Sequence, residues 1–136
     1  MVDALLGDWK LVSSENFEDL MKELGVGLVM RKIGNTTKPN VKFVKNGDEW
    51  TFSTVSTLKS QHLKYKLDEE FEEETLDGRK VRTTFNWDGN KLVQTQKDKD
   101  NNVVCTITRE ITEGGELKCV AKAGKVESVR VYHKEQ

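Results

Sequence analysis

From Val41 to Glu135 apolar and polar residues alternate with a period of two, interrupted by turn signals every several residues. "VKFVKNGDEWTFSTV" carries Asn46-Gly47 between two alternating runs, a strong hairpin signal. "LKSQHLKYKL", "EEFEEET", "RKVRTTFNW", "KLVQTQK", "NVVCTITREI", "LKCVAKA" and "VESVRVYHKE" follow, separated by "LDG", "DGN", "TEGGE" and "GK". Before them "GDWKLVSSE" sets Trp9 and Leu11 on one face of a first strand, for a predicted total of ten. Only one region changes period. Phe17, Leu20, Met21 and Leu24 fall at helical spacing after Asn16, which predicts a helix with Asn16 as its cap. Gly25 and Gly27 break it, and a second short helix, roughly Leu28 to Ile33, precedes Gly34 and the lone proline, Pro39. Ten meandering antiparallel strands would leave two bare edges if flat. The expected architecture is therefore all-β: an antiparallel up-and-down barrel capped by a helix-turn-helix lid.

Composition sharpens that reading. Only 35% of the 136 residues are hydrophobic and mean hydropathy is -0.66, lean for a solid core. A barrel with a wet, partly polar interior reconciles the two. The length suits a single domain over residues 1–136. A net charge of -1 offers no field for nucleic acid. The start "MVDALLGDWK" lacks the basic and apolar regions of a signal peptide, and two cysteines fit a reducing compartment, so the expected location is the cytoplasm.

Register places the candidate chemistry. On "NVVCTITREI", Cys105, Ile107, Arg109 and Ile111 share a mostly apolar face, which turns Arg109 inward. If "TEGGE" pairs Ile111 with Leu117, Arg109 lies opposite Cys119 and Ile107 opposite Ala121. Closing the next turn with Ala121 facing Arg130 and Cys119 facing Tyr132 sends two guanidiniums and a phenol into one cavity. The last strand leaves two readings open. Ser128, Arg130 and Tyr132 face inward, or Val129 and Val131 make the core face and Arg130 is a solvent residue; spacing alone leans slightly to the second. Under the first, neither arginine has an obvious acidic partner on these faces. Two like charges in a dry site are too costly, so the cavity must hold water, an anion or both. The arginine fork matches a carboxylate, and tyrosine adds a donor.

The chain resembles the intracellular fatty acid-binding proteins, within the wider calycin superfamily that includes the cellular retinoid-binding proteins. The resemblance runs through "GDWKLVSSENFEDLMKELGVG", "RKIGNTTKP", "NGDEWTFSTVSTLKS", "LDGRKV", "DGNKLV", "TREI" and the terminal "RVY", with a muscle- or heart-like branch, or an invertebrate relative of it, nearest in pattern. It implies a ten-stranded barrel of two near-orthogonal sheets under two helices. It further implies a monomeric, non-enzymatic carrier of long-chain fatty acids, with no cofactor, whose ligand carboxylate is bound by Arg109, Arg130 and Tyr132. That tips the choice of face. Candidates for the tail and portal are Phe17, Met21, Val26, Val29, Met30 and Ile33 on the lid, Thr57, Leu58 and Asp77 in the facing turns, and Leu117 and Cys119 on the deep wall; Trp9 is expected in the core below. A retinoid or another acidic lipid would use the same arginines, and a protein-interaction scaffold is the alternative of a different class.

Lesser motifs carry less. "DEEFEEE" reads as an acidic strand with Phe71 beside Glu69 and Glu73, a solvated outer face or turn. A calcium-loop start at Asp98, Asp100 and Asn102 fails, because Val103 holds the glycine position and Arg109 the closing glutamate. His62 and His133 lack zinc spacing. Cys105 and Cys119 are expected to be buried, inert thiols, with Cys119 beside Arg109 the one open to some reactivity. Lys22, Arg31 and Lys32 form a candidate cationic patch on the lid, which the resemblance connects with anionic membranes and with nuclear import.

Overall fold

A computed structural model describes residues 2–57 and 59–135. Ten strands form one antiparallel sheet: β1 (Gly7–Glu15), β2 (Asn40–Asn46), β3 (Glu49–Val55), β4 (Ser60–Lys66), β5 (Phe71–Glu74), β6 (Lys80–Asp88), β7 (Lys91–Lys97), β8 (Val103–Ile111), β9 (Leu117–Ala123) and β10 (Val126–Lys134). A short 3₁₀ turn, Val2–Leu5, precedes β1, and its Leu5 carbonyl accepts the Trp9 indole N–H at 2.9 Å. Sequence neighbours pair except β4 and β5, and β1 zips against β10 from Trp9↔Lys134 to Glu15↔Val129. First and last strands thus close the barrel, and the unpaired edges fall mid-chain, between β4 and β5.

Side chains seal that breach. Tyr65 stacks on Phe85 with ring centres 3.9 Å apart, and Trp50 and Phe71 extend the stack. The Gln61 amide bonds the Glu74 carbonyl, and Lys59 Nζ donates to the Leu76 carbonyl at 3.1 Å. The apolar core, with Trp9, Phe43, Phe85, Leu92 and Leu117 fully buried, gathers toward the end away from the helices.

The helices enter where β1 ends. Asn16 does occupy the cap of α1 (Phe17–Glu23), but in the left-handed region at φ 59, and its side chain caps nothing. Its amide reaches across to the Glu127 carbonyl instead, so it ties the lid to β10. Helix α2 (Leu28–Thr36) runs past Gly34, which the sequence reading took for its end. Gly34 has a packing reason: a Cβ there would stand 2.9 Å from Met21 Sδ, so its absence lets α1 and α2 approach. Leu20 and Met21 are the buried face of α1, which packs on β9 and β10.

The β8–β9 register is as the sequence predicts, with Arg109↔Cys119 and Ile107↔Ala121. The β9–β10 register is displaced by two: Arg130 pairs with Cys119 and Tyr132 with Leu117. The cause is a two-residue turn, Gly124-Lys125, with Gly124 at φ 58, which closes the hairpin at Ala123↔Val126. A slip of two keeps every side chain on its face. Ser128 and Tyr132 are accordingly buried, and the arginine between them points inward.

Candidate functional site

One ladder row carries the arginines. Across β7 to β10 and on to β1 it reads Leu92, Arg109, Cys119, Arg130, Ser14. Two strand spacings of ~4.8 Å separate the Arg109 and Arg130 backbones, within reach of converging side chains. Both line an internal cavity of about 250 Å³, with Tyr132 one pair along. A single water needs ~10–15 Å³ of such space. There is room for an acyl chain together with some water.

The two guanidiniums differ in their partners. Arg109 is buried, donates from Nη1 to Gln94 Oε1 at 2.8 Å and lies with Cζ 4.5 Å from the Phe52 ring centre. Arg130 has Cζ 3.9 Å over the Phe17 ring of the lid, and its buried Nε finds no partner among the described residues. Arg130 as a whole is half-buried, and a guanidinium with an enclosed, unmet donor is poised for an anion. Tyr132 is buried, which pushes its phenol above the ordinary value against the pull of Arg130 and Arg109. It stays a neutral donor beside them.

The carboxylate that the sequence reading placed outside is within. Glu73 is only 6% exposed and lines the cavity. Its Oε1 accepts from the Thr83 hydroxyl at 2.6 Å, from Gln94 Nε2 at 3.1 Å and from Gln96 Nε2 at 3.4 Å. Arg79 Nη2 in turn donates to Gln96 Oε1 at 3.4 Å, and Arg79 Nε to Asp77 Oδ1 at 3.1 Å. Phe71 and Glu73 share the inner face of β5, so the acidic run is half inside. Gln94 and Gln96 alternate with buried Leu92 on β7, a parity visible in "KLVQTQK" and passed over. Glu73 was hidden by its exposed neighbours Glu72 and Glu74.

Of the predicted tail and portal residues, Phe17, Met21, Met30, Ile33, Asp77 and Cys119 line the cavity. Four do not. Val29 is 71% exposed, because one helical position before Met30 points to solvent. Val26 is buried in the turn between the helices, where its N–H bonds the Met21 carbonyl. Thr57 faces solvent. Leu117 pairs with Tyr132 toward the core end and is packed there. Leu58 lies outside the described residues. On the lid, Lys22 and Lys32 are exposed, whereas Arg31 folds back and donates to the Val26 carbonyl at 2.6 Å. Burial pushes the Cys105 thiol up to about 11.

Fold and cavity define a class: a lidded up-and-down β-barrel with a largely apolar internal chamber lined by buried Arg109 and half-buried Arg130. The model for the lipocalin / cytosolic fatty-acid binding protein family matches residues 6–135, and the chain belongs to that family, one of carriers rather than enzymes. Fatty acid-binding protein 5 of Pygoscelis papua is 44% identical over 134 residues, 98% of either chain. A fatty acid-binding protein from Drosophila melanogaster brain tissue is 48% identical, with a TM-score of 0.85 over 95% of this chain and 98% of that one. The Schistosoma mansoni fatty acid binding protein in complex with arachidonic acid is 40% identical, with a TM-score of 0.91 over 98% and 97%.

Proposed function

We propose that this protein binds a long-chain fatty acid non-covalently inside the barrel and carries it through the cytosol as a monomer. The carboxylate meets Arg130, Arg109 and Tyr132, and the chain lies along Met21, Met30, Ile33 and Cys119. The observation that carries the reading is the buried Arg130 Nε, without a partner among the described residues, at an apolar-walled cavity. Relatives with the same fold are named for fatty acid binding, one of them with arachidonic acid bound. Each buried methylene contributes ~0.8 kcal/mol, so the tail supplies the bulk of affinity before ordering costs. The arginines orient the ligand and select an acid. Mass spectrometry of lipids extracted from the native protein tests this. Straight-chain fatty acids support it, a retinoid moves the ligand to the sister class, and an empty barrel favours a scaffold.

Delivery to anionic membranes through the lid is supported by exposed Lys22 and Lys32 beside exposed Leu28 and Val29. Transfer of a fluorescent fatty acid to anionic vesicles should slow as salt rises; a salt-independent rate rules this route out. Arg31, tied to the Val26 carbonyl, is not a free member of the patch. The same cluster is the sole support for nuclear entry, which loss of nuclear signal from a Lys22→Ala/Lys32→Ala double variant would establish and an unchanged distribution would remove.

A further inference from the structure

We propose that Glu73 forms a second polar subsite in the cavity, accepting a hydrogen bond from a hydroxyl borne along the ligand chain, and that hydroxylated long-chain fatty acids are therefore preferred ligands. The inference rests on the reading of the cavity as an acyl-chain site.

The two carboxylate oxygens of Glu73 are in different situations. Oε1 takes three donors, from Thr83, Gln94 and Gln96, a load that suits an ionised, acceptor-only oxygen. Oε2 accepts no hydrogen bond from the described residues. Glu73 is buried and lines the cavity, so its unengaged oxygen is the one left to serve a ligand there.

The surrounding network keeps it open. Gln94 cannot turn to serve Oε2, because its amide oxygen is held by Arg109 at 2.8 Å while its amide nitrogen faces Oε1. Gln96 is held in the same sense, with its oxygen on Arg79. Two guanidiniums, each one amide away, balance the negative charge without covering its free oxygen. A plain acyl chain passing Oε2 displaces water and returns nothing; a hydroxyl returns a charge-assisted bond. A second carboxylate on the ligand would be repelled by Glu73, and an ammonium would face Arg79 and Arg109 close by. Glu73 stands on β5, five ladders from Arg130 on β10 but one amide, Gln94, from Arg109, so a carboxylate anchored on Arg130 sets the favoured hydroxyl along the chain and one drawn to Arg109 sets it nearer the carboxyl.

Calorimetric titration of the full chain with stearic acid, its 2-hydroxy, 10-hydroxy and 12-hydroxy derivatives, and octadecanedioic acid tests the subsite. One hydroxy isomer should bind about tenfold tighter than the others and than stearic acid, and the diacid more weakly than stearic acid. Glu73→Gln keeps an oxygen for the three internal donors and turns an amide N–H toward the cavity. In that variant the positional preference should shrink to about threefold or less and the diacid should gain on stearic acid. A purely structural role would lower all ligands together and leave the order intact, which overturns the proposal. So does equal binding of the hydroxy isomers by the native protein, a series that decides the matter even if the variant fails to fold. Failure to bind stearic acid would sink the fatty acid reading as well; stearic acid binding without positional preference would sink only the subsite.

Discussion

Replacing Arg130 with Gln removes one guanidinium from the cavity and keeps a side chain of similar reach. A hydrogen bond to a charged group is worth ~1.5–3 kcal/mol, and ~1.4 kcal/mol is a factor of ten in affinity. Oleate should therefore bind Arg130→Gln about 10- to 100-fold more weakly by calorimetry. Oleyl alcohol has the same tail and no charge, so its affinity should change by less than about threefold. The variant also reports on the free protein. It loses the cation–π contact of Arg130 with Phe17, worth ~0.5–2 kcal/mol, and it relieves a buried Nε that has no partner among the described residues, a cost of comparable size. The two offset, so Tm should move by no more than a few degrees, about what ~1 kcal/mol gives a chain of this size. That near-silence in stability makes the affinity readable. Equal loss for acid and alcohol would refute the carboxylate role, and so would undiminished oleate binding.

Two further outcomes follow from the packing. Gly34→Val puts a branched side chain where even a Cβ stands 2.9 Å from Met21 Sδ, and should destabilise by ~1–3 kcal/mol and speed ligand release in stopped-flow displacement; an unchanged Tm would contradict the close approach of α1 and α2. Cys105, with its thiol pushed up to about 11 by burial, favours the neutral form in the fold, so its contribution is intact below the ordinary thiol value near 9 and is lost as pH rises toward 11; urea midpoints should fall over that window and fall less in Cys105→Ala, and parallel curves would refute it.

The strand count, the lid and the β8–β9 register were legible because each rests on local pattern: alternation, Asn46-Gly47, and a closing pair at Ile111 and Leu117. The β9–β10 register was not, since "AGK" admits more than one closure and only the left-handed Gly124 selects it. The inward face of β10 could not be chosen from spacing, because Val129 and Val131 are as apolar as any core pair; the resemblance of the terminal "RVY" chose it. Lid residues were the least legible. A helical stripe identifies a buried side, but whether that side meets the cavity (Met30, Ile33) or the inter-helix turn (Val26) depends on how α1 and α2 cross. Glu73 went unread for an energetic reason: a lone buried acid is improbable from sequence, and its stabilisers come from β6 and β7, distant in the chain.

The Glu73 network also decides which arginine is the anchor. Arg79 bonds Asp77 and, through Gln96, reaches Glu73; Arg109 reaches Glu73 through Gln94. Among the described residues, Arg130 alone of the three has no acid at one or two bonds, only the face of Phe17. The unbalanced charge of the chamber therefore sits on Arg130, and a monocarboxylate that docks there completes the balance. Arg109 is largely a structural cation whose loss strands Glu73. Arg109→Gln should thus lower Tm more than Arg130→Gln, because a buried acid loses one of its two relayed counter-charges, a change of ~1–3 kcal/mol. It should weaken oleate less, because the anchor survives. Thermal unfolding and oleate titration of the two variants side by side read both quantities. An Arg109→Gln protein that keeps its Tm but loses more oleate affinity than Arg130→Gln would reverse the assignment.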